Sequence, residues 1–368
     1  AESPLFDAEN AELTWSGALA AGQTATISYD VRYTGDGDQV LFNTACAPAS
    51  DMLTGSPNCD AASVPAAKLA TWKTVSASTD LVAAGTVLSY TLHFENLGKA
   101  SATVDHVDYL AGVIDDATLV ADSIEASTGL TATVEGDGQT IAISGSVDAA
   151  KTSTVSYDVT VKADGERGDS LSANFLLQSD AEPPQDPSTD PVCEPADPER
   201  ADCTLTPIGS VETSKSVSAS TDPVAAGTVL TYTLSFVNNS RAAADVDHVD
   251  HLADVLDDAT LTTQPVAENG LLDSSAVQGD SFVVTGRLAA GASETVSYTV
   301  TVKPDADRAR DGNGVAANFL VPAGTEPPAT CEGDDCTVTP IGLIRATKSS
   351  DPESGQTVAA GDSVTYTL

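Results

Sequence analysis

Three residue types that could react with one another recur in a fixed order along this sequence: a lysine, an aspartate and an asparagine. Lys73, Asp108 and Asn174 each lie in a segment of alternating polar and apolar residues, in phase with apolar neighbours. Burial lowers the pKa of a lysine, so its amine can be neutral and nucleophilic. A buried acid stays protonated and can polarise the asparagine carbonyl. The amine could then attack the carboxamide, release ammonia and leave an amide bond between the two side chains.

The same order returns as Lys215, Asp250 and Asn318. We therefore predict one crosslink between Lys73 and Asn174 and another between Lys215 and Asn318, each promoted by the aspartate of its own set. Each bond would form once, as a maturation of the fold, because nothing in the scheme regenerates the reacting groups.

Two alternatives remain open from the residues alone. The lysine and aspartate could stay unreacted as a buried ion pair. The identity of the acid is also open, because two adjacent aspartates follow each proposed one: Asp115 and Asp116 in the first set, and Asp257 and Asp258 in the second.

Internal repetition determines which elements must position these residues. The segment WKTVSASTDLVAAGTVLSYTLHF from Trp72 returns as SKSVSASTDPVAAGTVLTYTLSF from Ser214, and it starts a third time from Thr347. The spacing of about 140 residues is the size of a domain. The alignment predicts the C-terminal part of a repeat in 1–69, complete repeats in 70–210 and 211–343, and the first strands of another in 344–368.

The two end segments contain further partners for the same chemistry, Asn43 in the first and Lys348 in the last. Together they do not contain an equivalent of the aspartate-bearing strand. We therefore expect the chain to be a window on a longer array, and not a subunit whose two ends complete each other.

The local pattern within each repeat is that of β-strands. Tyr90, Leu92 and Phe94 alternate with polar residues, and this period of two is typical of half-buried strands. Clusters of Gly, Asp, Pro and Ser separate such segments. The fold class predicted is all-β, with tandem Ig-like β-sandwich repeats in an extended array.

The cysteines fall into short-range pairs at the same place in each unit, after the asparagine-bearing segment. Local repetition favours nearest-neighbour disulfides, although six cysteines permit many pairings. Stable disulfides indicate an extracellular, oxidising compartment. The predicted pairs are Cys46–Cys59, Cys193–Cys203 and Cys331–Cys336.

The chain is strongly acidic, with 54 acidic and 16 basic residues and a net charge of −38. Like charges repel, so this composition argues against binding to nucleic acid or to anionic membranes. No apolar run is long enough to span a bilayer. We expect no cofactor and no metal site, although acidic loops such as TGDGDQ and CEGDDC could bind Ca²⁺ weakly.

The pattern K…GxxxxYTL…N…DxL…SYxVxVK…N resembles the bacterial surface-repeat family known as domain of unknown function eleven and its actinobacterial relatives. These modules look like collagen-adhesin B-type and pilin modules with internal isopeptide bonds. The resemblance implies an Ig-like sandwich in a wall-anchored or secreted protein. Carried onto this chain, it assigns the crosslinking roles to Lys73, Asp108 and Asn174, and to Lys215, Asp250 and Asn318.

The function expected is that of an extracellular stalk or spacer whose partners are the neighbouring repeats of the same protein. Two alternatives remain. The repeats could be adhesive modules for a host or cell-surface ligand, or the chain could be a filament subunit assembled by strand exchange. An enzyme is not expected, because the proposed crosslink is the one constellation of reactive residues that repeats.

Overall fold

The structure, a computed structural model, consists almost entirely of β-strands, as the alternating pattern predicts. It describes residues 3–51, 58–136, 138–181, 193, 197–311, 313–342 and 346–368. The chain divides into two compact units. The first comprises residues 1–69, 96–102 and 148–151, and the second comprises residues 70–95, 103–147 and 152–368.

Two hairpins form in the described part of residues 1–68. Leu5–Asp7 (β1) pairs with Glu12–Thr14 (β2), and Val40–Ala47 (β3) pairs with Asn58–Pro65 (β4). A short 3₁₀ helix follows β3 at Ala49–Asp51. Residues 15–39 form no strand, although they align with a hairpin of the first complete repeat. No described segment offers them a paired strand, and strand backbone needs such partners for its N–H and C=O groups.

The first complete repeat is built from two antiparallel sheets. One has the strand order β5-β6-β12-β8, with β9 also on β12, and the other has the order β10-β11-β7-β13-β14. A short helix, α1 (Ala111–Ile114), follows β7, and a 3₁₀ helix at Pro198–Arg200 precedes β14. The strands are Leu69–Ala77 (β5), Val87–Asn96 (β6), Ala102–Tyr109 (β7), Ala117–Leu119 (β8), Glu125–Ala126 (β9), Leu130–Glu135 (β10), Thr140–Val147 (β11), Thr152–Val161 (β12), Leu171–Gln178 (β13) and Cys203–Pro207 (β14).

The second repeat has the same plan. Its sheets have the orders β15-β16-β21-β18 and β19-β20-β17-β22-β23. The strands are Glu212–Ala219 (β15), Val229–Val237 (β16), Ala244–His251 (β17), Ala259–Ala267 (β18), Leu272–Ser274 (β19), Ser281–Leu288 (β20), Ser293–Val302 (β21), Val315–Pro322 (β22) and Cys336–Pro340 (β23). Two helices, α2 (Ala253–Leu256) and α3 (Asp305–Asp311), lie between strands. Beyond this repeat, Ser349–Asp351 (β24) pairs with Thr365–Thr367 (β25).

Each repeat buries a main core between its two sheets. In the second repeat, Leu234 and Tyr298 from one sheet and Val246 and Val284 from the other belong to a single buried cluster. Each such side chain contributes roughly 1.5–3 kcal/mol when it leaves water. The repeats are therefore β-sandwiches, as the spacing of strands and turns predicts. Among the described residues, no helix is both long and apolar enough to cross a membrane.

Candidate functional site

Lys73 and Asp108 come from different sheets of the first sandwich and meet between them. Lys73 lies on β5 and Asp108 on β7, and the side chains of both are fully buried. The Lys73 ammonium forms an ion pair with Oδ1 of Asp108. Burial lowers the pKa of Lys73 to about 8, and the charge of Asp108 opposes this shift in part. The pair therefore holds an amine that can lose its charge near neutral pH.

Asn174 reaches the same aspartate through a tyrosine. Tyr157 on β12 donates its hydroxyl proton to Oδ2 of Asp108 at 2.6 Å. The Asn174 Nδ2 group on β13 donates to the Tyr157 hydroxyl, and its distance to Oδ2 of Asp108 is 3.4 Å. The Asn174 carbonyl oxygen is buried, and no residue that the structure describes donates a hydrogen bond to it. One carboxyl group thus contacts the amine at one oxygen and the asparagine, directly and through tyrosine, at the other.

The second repeat contains the same arrangement on equivalent strands. Lys215 Nζ lies 2.5 Å from Oδ1 of Asp250, and both side chains are fully buried. Tyr298 donates to Oδ2 of Asp250 at 2.8 Å. Asn318 Nδ2 donates to the Tyr298 hydroxyl, and its own buried carbonyl oxygen again has no hydrogen-bond partner within the described part of the chain. Burial also lowers the pKa of Lys215. The two copies of the site therefore share the contacts from lysine to aspartate, from aspartate to tyrosine and from tyrosine to asparagine.

An aromatic ring lies close to the amine of each lysine. Lys73 Nζ lies 5.6 Å from the ring centre of Tyr90, and Lys215 Nζ lies 5.5 Å from that of Tyr232. The Tyr90 and Tyr157 rings stack with centroids 5.2 Å apart. Burial, followed by the negative charge of Asp108, raises the pKa of Tyr157 well above its usual value. Its hydroxyl therefore stays protonated and can act as a donor.

The competing aspartates of the first repeat lie in another part of the sandwich. Asp116 accepts a hydrogen bond from the Ser170 backbone N–H at 3.1 Å. One carboxylate oxygen from each of Asp115, Asp116 and Asp169 lies within 4.8 Å of the other two. Burial and the two neighbouring acids raise the pKa of Asp115 to about 6. Arg241 is 3.5 Å from Asp169 and offsets part of this charge. The acid beside Lys73 is therefore Asp108.

The competing aspartates of the second repeat also lie in another part of their sandwich. Asp258 accepts from the Gly314 backbone N–H at 2.9 Å and lies 3.9 Å from the Arg308 guanidinium. Burial, and then the charge of Asp258, raises the pKa of Asp257. The acid beside Lys215 is Asp250.

The three predicted disulfides are present, next to the asparagine-bearing strands. Cys203 and Cys336 begin β14 and β23, the strands that pair with those carrying Asn174 and Asn318. Their partners, Cys193 and Cys331, lie in the preceding loops. Cys46–Cys59 differs, because it joins directly paired residues of the β3–β4 hairpin.

The end segments preserve fragments of the site. Asn43 Nδ2 donates to the hydroxyl of Tyr29, as Asn174 does to Tyr157. Lys348 Nζ lies 4.6 Å from the ring centre of Tyr366. The tyrosines are the site residues that sequence reasoning missed. The signal was available, since the tyrosine of the SYxVxVK motif recurs in both complete repeats and in the YDVRY segment.

Comparison with solved structures returns matches of low similarity, and bacterial surface proteins are among them. Collagen adhesin from S. aureus is 11% identical with a TM-score of 0.21, and the match covers 75% of this chain and 94% of that one. The N-terminal region of Enterococcal surface protein is 8% identical with a TM-score of 0.20, covering 70% and 90%. The adhesin ACE from Enterococcus faecalis is 9% identical with a TM-score of 0.19, covering 74% and 94%. The sandwich assignment rests on the strand order and core described above.

No curated protein matches the sequence. One family model does, and it matches twice, over residues 68–208 and 210–341. These matches span both complete sandwiches and both lysine–aspartate–asparagine sites. The model differs from domain of unknown function eleven, the family that the motifs resemble. The chain belongs to the family described as Domain of unknown function (DUF7927).

Proposed function

We propose that the two complete repeats are spacer modules of an extracellular bacterial surface protein, each closed by an internal lysine–asparagine amide bond. The observation that carries the proposal is the meeting of a fully buried amine and a buried asparagine on one aspartate, in both repeats. An unreacted ion pair at this depth loses the hydration of both charges. The amide would remove both charges from the core. The disulfides and the net charge of −38 fit an oxidising, solvated setting.

The reaction balances without a cofactor. The neutral amine of Lys73 attacks Cγ of Asn174, the Nζ–Cγ bond forms and the Cγ–Nδ2 bond breaks. One proton leaves Nζ and one is gained by Nδ2, so the products are an amide and ammonia. Because the reacting groups are already ordered by the fold, the step is effectively unimolecular.

The position of the bond suits a module that carries tension. Lys73 lies on the first strand of the repeat, β5, and Asn174 on β13, after which the described residues of the repeat form one more strand, β14. The bond would therefore join the two sheets and close a loop of about 100 residues. A crosslink of that span contributes roughly 4–5 kcal/mol by restricting the unfolded chain. A force that pulls on the ends of the repeat would act on a covalent bond before it could separate the strands in between.

The end of each repeat is held by the repeat itself. The Gly209 N–H donates to the Val82 carbonyl at 2.8 Å, and Arg167 donates to the Gly209 carbonyl at 3.4 Å. A β-carbon at position 209 would collide with the carbonyl oxygen of Ala243, the first residue before β17. The backbones of consecutive repeats therefore approach so closely that glycine is required. Such a junction favours a spacer, because it restricts bending between modules.

Intact mass of the reduced chain tests the crosslinks. We expect a mass two ammonia molecules below that of the reduced sequence, and linked peptides containing Lys73 with Asn174 and Lys215 with Asn318 after digestion. The full sequence mass would refute the crosslinks and leave the buried ion pairs as the stable state.

Small-angle X-ray scattering of the same chain tests the spacer role. An elongated particle whose dimensions do not change with protein concentration is expected. Growth of the particle with concentration would instead support a filament subunit.

A further inference from the structure

We propose that Tyr157 and Tyr298 are catalytic residues of the crosslinking reaction, which carry a proton from the aspartate to the departing asparagine nitrogen. The inference rests on the proposed function, since it assigns a role within that reaction. It follows from the contacts that join the four side chains.

These contacts form one continuous path. In the first repeat, the path runs from Lys73 Nζ to Oδ1 of Asp108, from Oδ2 of Asp108 to the Tyr157 hydroxyl, and from that hydroxyl to Asn174 Nδ2. It begins at the atom that must lose a proton and ends at the atom that must gain one. The second repeat repeats the path through Asp250 and Tyr298.

The protons balance along this path. The Lys73 ammonium gives one proton to Asp108, and rotation of the neutral carboxyl group places that proton on the oxygen that faces Tyr157. When the amine has attacked Cγ of Asn174, Nζ gives its second proton to the unprotonated carboxyl oxygen beside it. The other carboxyl oxygen passes its proton to the Tyr157 oxygen, and the tyrosine passes its own proton to Nδ2. Ammonia then leaves, and both Asp108 and Tyr157 end in the protonation state in which they entered the step.

Tyrosine is better placed than the acid to deliver the last proton. The direct distance between Asn174 Nδ2 and Oδ2 of Asp108 is 3.4 Å, which is long for a hydrogen bond, whereas the hydroxyl lies between the two atoms in direct contact with each. Asp108 and Asn174 are both fully buried, and Tyr157 is only 1% exposed. A proton for the leaving group therefore has to come from a protein side chain.

The chain provides a matched control for this role. Tyr90 stacks on Tyr157 and is as deeply buried, but its hydroxyl contacts Ser172 Oγ at 2.9 Å. Replacing either tyrosine with phenylalanine keeps the ring and removes one hydroxyl. Only the change at position 157 breaks the path between Asp108 and Asn174.

The test follows crosslinking by intact mass at timed intervals after cell-free synthesis of the full chain. In Tyr157→Phe, loss of ammonia from the first repeat should slow by at least about 100-fold, the usual range for removal of a general acid. The second repeat of the same molecule should react at the wild-type rate and so show that synthesis and folding are intact. Tyr90→Phe should react normally in both repeats.

Tyr298→Phe repeats the experiment with the roles of the two repeats exchanged, so the test does not depend on one variant folding. Wild-type rates in both phenylalanine variants would overturn the proton-relay role while leaving the crosslink in place. A wild-type chain that keeps its full sequence mass would instead overturn the crosslink itself. Circular dichroism shows whether each variant is folded. A variant that is folded but reacts slowly supports the relay, whereas a slow reaction in a misfolded variant is attributed to misfolding.

Discussion

Tyr90 and Tyr157 occupy directly paired positions on neighbouring strands, with ring centroids 5.2 Å apart, yet only the Tyr157 hydroxyl contacts Asp108. The hydroxyl groups of the two stacked rings contact different partners. Tyr90 contacts Ser172 on β13, whereas Tyr157 is placed between the acid and the asparagine. Within this pair, Tyr90 therefore serves packing, and Tyr157 is the residue to which we assign proton transfer.

Replacing Asp108 with asparagine should abolish the crosslink in the first repeat only. Asparagine keeps the size of the side chain but cannot take a proton from Lys73. The mass of the reduced chain should then be one ammonia below the sequence mass of the variant, and not two. Asp115→Asn is the control, because Asp115 belongs to the separate acidic group near Asp169 and should leave both bonds intact. Loss of the bond in the control would contradict the assignment of the acid.

The crosslinking rate should be independent of pH below about 8 and should fall above it. The reacting state, a neutral amine beside a neutral acid, contains the same number of protons as the ion pair. The Lys73–Asp108 pair loses one proton as the pH rises through the pKa of Lys73, which burial lowers to about 8. Above that point the rate should fall about tenfold per pH unit. Timed mass measurements between pH 6 and about 10 provide the profile, and a rate that keeps rising above pH 8 would rule out a protonated acid.

Removing the crosslink should lower stability mainly through the unfolded chain. Lys73→Met replaces the amine with an apolar side chain of similar length, so no buried charge of lysine remains. We expect the free energy of unfolding of the first repeat to fall by roughly 4–5 kcal/mol, the value for freeing a loop of this length. Asn174→Ala breaks the same bond but keeps the buried charges, so it should cost at least as much. Chemical denaturation of both variants measures the difference, and unchanged midpoints would argue that no bond exists.

The junction between repeats should be sensitive to a single methyl group. Gly209→Ala places a β-carbon against the Ala243 carbonyl oxygen, which belongs to the backbone and cannot move alone. A loss of about 1–3 kcal/mol is expected, which is typical of overpacking. At the equivalent Gly342, a β-carbon would be 3.3 Å from the Val224 oxygen, so Gly342→Ala should be milder. Equal thermal unfolding of the two variants would mean that the close approach at Gly209 is not maintained in solution.

The sequence was sufficient for the fold because its signals were local and repeated. Alternation in strands such as β6 predicted which residues are buried, and repetition predicted the disulfides. The choice between Asp108 and the pair Asp115 and Asp116 could not be made in this way. It depends on which strands face each other across the core, and strand order is a non-local property.

Tyr157 was missed for a different reason. Its position in an alternating strand is the same whether its hydroxyl is catalytic or merely buried, so the pattern predicts only that the ring faces the core. The contact with Asp108 depends on the depth at which β12 and β7 lie opposite each other. Residues 15–39 show the converse, since a strand-like sequence formed no strand where the described structure provides no partner.

Each repeat holds its own last residues by hydrogen bonds, and this has a consequence for how proteins built from such repeats change in length. Arg308 and Val224 hold Gly342 as Arg167 and Val82 hold Gly209, so the exit of a repeat is secured from within. When a gene gains a whole repeat, the new copy would thus bring the residues that hold its own C-terminal end in place. Duplication and deletion could then adjust the reach of the molecule from a cell without any compensating substitution elsewhere.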